Sequence, residues 1–138
     1  MVRVRWPVLV YVVFQLVNCL PLAPILIAGP SALGLIGWAL TLVAVLYGVA
    51  GSILLLIGRR PGLPLSCIAL VLQLIWVQWG ALFIGARSFV VLHFWFGKTD
   101  ASGTPHVVGF NVAALFWLIW LWLATRRKEP APQTPAQA

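Results

Sequence analysis

The chain has 138 residues, of which 62% are hydrophobic and only 8% are charged, and its mean hydropathy is +1.04. A soluble domain carries roughly 25% charged residues to wet its surface, so composition excludes an ordinary water-soluble globule and makes lipid the solvent for most of the exterior. The net charge of +7 does not signal a nucleic-acid partner, because the basic residues stand at the ends of apolar runs and no basic face with interleaved aromatics exists.

The first apolar run covers residues 6–28. It is longer than the roughly 7–15 residues of a secretory signal core, so it reads as a retained span. Pro7 suits the first turn of a helix. Pro21 and Pro24 each remove a backbone donor and should loosen the last turns. Gly29-Pro30-Ser31 marks a turn, with Ser31 as N-cap of the next helix. The second run covers 32–57 and ends at Gly58-Arg59-Arg60-Pro61-Gly62. Gly58 suits the left-handed position just past a helix, and Pro61-Gly62 is a turn dipeptide.

The third run covers 64–96 and is interrupted only by Arg87 and His93. It exceeds the roughly 20 residues needed to span a bilayer. It reads as one long or slightly broken helix, the alternative being an end near Gly85 and an interfacial piece over 88–96. Residues 98–104 form a polar loop, and the fourth run, 105–125, has spanning length. The predicted fold is therefore all-α: an antiparallel bundle of four transmembrane helices within residues 1–128, followed by a disordered cytoplasmic tail over 129–138.

Orientation follows from charge. Arg3, Arg5, Arg59, Arg60, Arg126, Arg127 and Lys128 fall on one side, against Lys98 and Arg87 on the other. The positive-inside rule places both termini in the cytoplasm. With short loops, this suits a multi-pass protein of a bacterial inner membrane. Trp6, Trp95 and Trp122 fall near expected interfaces, where aromatic belts form; Trp76, Trp79, Trp117 and Trp120 fall deeper.

Small residues carry the packing signal. Gly37, Thr41, Ala44, Gly48 and Ser52 share one face of the second run, and Gly109-xxx-Ala113 is a weaker copy in the fourth. Lipid gives helices no hydrophobic reason to associate, so close approach over small residues does that work. The face serves either the bundle itself or self-association.

No span contains a carboxylate, since the only acidic residues are Asp100 and Glu129. Coupled transport commonly uses intramembrane acids, so it is disfavoured. Gln15 and Asn18 share a face of the first run with Tyr11. Gln73, Gly80 and Arg87 share one in the third, and Asn111 enters from the outer end of the fourth. Gln15, Asn18, Gln73, Arg87 and Asn111 are thus candidates for a ligand path, or else interhelical glue. Arg87 reads as an interface anchor or as a contact for an anion or lipid headgroup. His93 and His106 flank the polar loop and are weak metal or haem candidates, with no recognised ligand spacing. Cys19 and Cys67 lie too far apart in depth for a disulfide and read as small hydrophobes.

No catalytic motif is present; no catalytic residue and no cofactor is expected. The leading functional expectation is a non-enzymatic accessory, assembly or regulatory subunit that packs, within the lipid bilayer, with a larger membrane complex or with itself. Behind it stand an uncoupled homo-oligomeric channel or transporter, using the amides and Arg87, and a redox carrier using His93 and His106.

Overall fold

The computed structural model describes residues 6–125. Arg3, Arg5, Arg126, Arg127, Lys128 and the 129–138 tail lie outside the described residues. The first run folds as helix α1 (Trp6–Cys19), a 3-10 turn (Leu20–Leu22) and a short helix α2 (Ala23–Ile27). Pro21 and Pro24 sit where the backbone tightens and restarts, as their missing donors require. Gly29 then takes φ +84°. Pro30–Ala32 forms a 3-10 turn and α3 runs from Gly34 to Leu56. Ser31 therefore does not cap α3; the preceding Leu33 offers no side-chain cap.

The end of α3 is a Schellman motif. Gly58, at φ +72°, donates to Leu55 O at 3.1 Å, and Arg59 N donates to Leu54 O at 2.8 Å. Only glycine takes this left-handed turn without steric cost. Helix α4 (Gly62–Leu72) then returns along α3.

Beyond Leu72 the all-α expectation fails. The rest of the third run and the start of the fourth form a four-stranded antiparallel sheet of β1 (Ile75–Trp79), β2 (Leu82–Ile84), β3 (His93–Thr99) and β4 (Pro105–Asn111), in the order β2-β1-β4-β3. Helix α5 is Val112–Thr125. With 11 and 14 residues, α4 and α5 rise only about 17 and 21 Å. Neither crosses a hydrocarbon core of about 30 Å. Two helical stretches, Trp6–Ile27 and Gly34–Leu56, are long and apolar enough to cross a membrane. The molecule is thus an α+β structure, helices with an antiparallel sheet, rather than an all-α bundle of four spans.

Local chemistry accounts for the change. Ile75, Val77 and the flanking tryptophans favour a pleated strand over a helix. Gly80, at φ +61°, and Ala81 make a two-residue hairpin loop between β1 and β2, with glycine where a II′ turn needs it. The amide of Asn111 caps α5, its Oδ1 accepting from Ala113 N at 3.1 Å. The helix of the fourth run, α5, consequently begins seven residues after Pro105, behind strand β4.

Helix α1 packs on α3 and α5, and α4 packs on α3 and α5, closing a ring. Val8, Tyr11, Val12, Leu70 and Leu121 fill its centre. All five small residues of the second run are buried on α3. Gly48 lies against the Gln15 side chain, and Gly51 against Ser66 and the Gly62 carbonyl. Gly109 behaves differently from expectation: it lies in β4, where its missing side chain admits the Trp76 indole, so it shares no helical face with Ala113.

One end of the molecule gathers N-terminal Trp6, packed edge-on against Trp120 at 6.0 Å, and Trp120 Nε1, which donates to Pro7 O at 3.0 Å. Arg59, Arg60 and Thr125 line a shared hollow there. The sheet occupies the other end.

Candidate ligand site

Register assigns every strand residue to a face, because cross-strand partners point the same way. The pairings Phe94↔Phe110↔Ile75 and Phe96↔Val108↔Val77↔Ile84 make one face apolar over most of its length, ending in Lys98↔His106↔Trp79 towards the β3–β4 hairpin. The opposite face carries His93, Trp95, Trp76, Gln78 and Phe83, with Gly97 and Gly109 between them. His93 and His106 stand on opposite faces, since His106 pairs with Lys98 and His93 with Asn111. They are not brought together as a ligand pair, and among the described residues no three His, Cys, Asp or Glu side chains cluster.

The segment from Ala86 to Leu92 crosses beneath the second face without regular structure. Several of its part-buried backbone donors are met from α1, α3, α4 and the end of β4. Asn18 Oδ1 accepts from Ser88 Oγ at 2.8 Å, Phe89 N at 2.8 Å and Val90 N at 2.9 Å. Thr41 Oγ1 accepts from Arg87 N at 2.9 Å. Asn111 Oδ1 accepts from Leu92 N at 3.4 Å. Ala86 N reaches Leu72 O at 3.3 Å. The outward side chains Phe89, Val91 and Leu92 are exposed and apolar.

These bonds fix amide orientation. Two backbone donors can only face an oxygen, so Asn18 must present Oδ1 to Phe89 and Val90. Its Nδ2 then donates to Gln73 Oε1 at 3.1 Å. That leaves Gln73 Nε2, in a residue only 2% exposed, with no partner among the described residues. Trp76 Nε1 is likewise buried and unpaired.

Gln73, Trp76, Arg87, His93 and Trp95 line a cavity of about 330 Å³ between the sheet and the 86–92 segment, with Phe83 in its wall. The Arg87 guanidinium lies 4.6 Å from the Phe83 ring centre, a cation–π distance. Asp100, the one carboxylate among the described residues, is at the far hairpin tip, 3.4 Å from His106. Partial desolvation, and then the nearby Arg87 cation, hold the His93 imidazole below its ordinary pKa, which favours its neutral form. The cavity lining therefore joins the Arg87 cation and N–H donors with the acceptor atoms of Gln78, Ser88 and His93.

Of the five candidate path residues, Asn18 and Gln73 meet directly and Arg87 and Asn111 hold or line the same region. Gln15 stays in the helix ring, donating to Cys19 Sγ at 3.4 Å, and Gly80 lies in a turn away from Gln73 and Arg87. The amides bond to one another and to the backbone rather than lining an open lane. Ser88 escaped the sequence reading, which placed Thr41 on the packing face and noted Trp76 only as a deep tryptophan. The alternation of Trp76 and Gln78 with Ile75 and Val77 was the available signal for a strand facing two environments. Comparison with protein-family models, curated proteins and solved structures finds no match to this chain.

Proposed function

We propose that the chain is a small non-enzymatic membrane protein, an accessory or regulatory subunit that docks on a different membrane protein through the free edge of β3. One observation carries this reading. Strand β3 lies at the end of the strand order, bonded on one side only, and all seven of its residues are exposed. Phe94, Trp95 and Phe96 are 59%, 64% and 74% exposed. An unpaired edge of this length and hydrophobicity is a template for another strand, and natural proteins ordinarily shorten, charge or cover it. Strand addition supplies main-chain bonds, and the aromatic side chains supply specificity.

The two long apolar helices support membrane insertion. The gathering of Trp6, the Arg59-Arg60 turn and Thr125 at one end supports an N-in, C-in, multi-pass topology with the sheet outside. The short turns and basic inner end suit a bacterial inner membrane.

The test is photo-crosslinking in native membranes from position 96 of the tagged full chain. One discrete membrane protein is expected on the cross-link, and Phe94→Lys, with the crosslinker kept at 96, is expected to abolish it. Cross-links to copies of this chain alone, or none, would overturn the reading.

A further inference from the structure

We infer that the cavity beneath the sheet is the headgroup site of an anionic lipid, whose chain lies in the apolar groove on the other side of Arg87. Two residues of the cavity lining carry buried donors without partners among the described residues, Gln73 Nε2 and Trp76 Nε1, and Arg87 lines the cavity beside them. A buried donor without an acceptor is costly, and two of them in one cavity call for an acceptor-rich group. The Gln73 donor is not a free rotamer choice. The Asn18 bonds to Phe89 N and Val90 N set the Asn18 amide, which in turn sets Gln73.

Charge selects the sign of the ligand. No described carboxylate stands near Arg87, because Asp100 is held at the hairpin tip by Ser102, Thr104 and His106. An oxyanion, as phosphate or carboxylate, satisfies the two neutral donors and the cation together, and charge-assisted bonds are the stronger kind.

The neighbouring space selects an amphiphile. Arg87 and Ser88 also line a second hollow of about 450 Å³, walled by Pro21, Leu22, Ile25, Leu33 and Phe89. Apart from Arg87 and Ser88, that hollow has only apolar side chains. A head at Arg87 and an acyl chain along Leu22, Ile25 and Phe89 would match each part of the ligand to its own chemistry. This site borders β3, whose His93 and Trp95 line the cavity, but its occupation does not depend on a protein partner.

The test uses the delipidated full chain in neutral detergent, titrated with phosphatidylglycerol, phosphatidylcholine or soluble glycerol 3-phosphate and read by native mass spectrometry. Phosphatidylglycerol is expected to bind at one saturable site. Trp76→Phe, which keeps a ring and removes the N–H, and Arg87→Gln are each expected to weaken it by about tenfold, the effect of a lost charge-assisted or buried bond. A Tm equal to that of the parent in neutral detergent shows that each variant folds. Equal binding of phosphatidylcholine, or phosphatidylglycerol binding unchanged in both variants, would overturn the site. Equally tight binding of glycerol 3-phosphate would overturn the lipid assignment in favour of a free oxyanion.

Discussion

Replacing Asn18 by leucine removes the acceptor on which the irregular segment hangs. The substitution keeps the volume roughly constant but leaves the N–H groups of Phe89 and Val90, and the Ser88 hydroxyl, without their shared oxygen. It also strands Gln73 Oε1. An interhelical side-chain hydrogen bond in a membrane protein averages only about 0.6 kcal/mol, because the separated helices find other partners. Backbone N–H groups in a non-helical segment have no such alternative. Each then costs about 1–3 kcal/mol, so two cost about 2–6 kcal/mol. The partial exposure of Phe89 and Val90 favours the low end, about 2–3 kcal/mol. Reversible unfolding in detergent should show that loss. Hydrogen exchange across 86–92 should accelerate by roughly thirtyfold or more, at 1.4 kcal/mol per tenfold. Val17→Ala, on the exposed side of α1, should do neither. An Asn18→Leu protein within about 0.5 kcal/mol of the parent (the ordinary effect of a surface change), with unchanged exchange, would refute the reasoning.

Gly51→Ala should destabilise more than Gly48→Ala. The added methyl at 51 meets Ser66 N at 2.7 Å and Gly62 O at 3.1 Å, which are backbone, whereas at 48 it meets the movable Gln15 side chain. A gap of about 1–3 kcal/mol in detergent unfolding is the scale of overpacking, and equal losses would contradict the close α3–α4 approach. Asp100 is held down to a pKa of about 2, first by the Ser102 hydroxyl and then by Thr104 N. Because the folded value is depressed, the carboxylate's support of the hairpin is complete above its ordinary pKa of 3.8 and fades as pH falls through about 2. The amide resonances of Ser102 and Thr104 should shift with a midpoint near 2, and a midpoint near 3.8 would show that the turn bonds are absent.

The parts of the fold that the sequence exposed are those governed by backbone rules that lipid does not alter. Pro21 and Pro24 break a helix wherever they occur, and Gly58 ends one by adopting φ +72°. The small face of α3 was visible because helical spacing repeats across five residues. The strands were hidden for a physical reason. In water, a strand is recognised by apolar residues alternating with polar ones. Here one sheet face is apolar through Ile75, Val77, Phe94 and Phe96, and the other carries Trp76, Trp95 and Phe83, so alternation nearly vanishes. Two local signals survived: the Trp79-Gly80-Ala81-Leu82 turn, and Asn111 directly before an apolar run as a helix cap. The site was half legible. Asn18, Gln73, Arg87 and Asn111 stood out as costly polar groups in apolar runs. Their meeting depends on the 86–92 crossing, which no periodicity encodes.

The Asn18 contacts also bear on how the protein is made. The ribosome delivers Asn18 some seventy residues before Ser88, its most N-terminal side-chain donor from the crossing segment. From the completion of α3 onward both helices exist, yet the Asn18 acceptor on α1 lacks the N–H groups it will finally hold. The nascent helical pair is therefore an incomplete structure that only the later sheet segment can close. Quality control that senses unmet polar groups would have a defined moment to act on this chain, between synthesis of α4 and synthesis of residues 88–90.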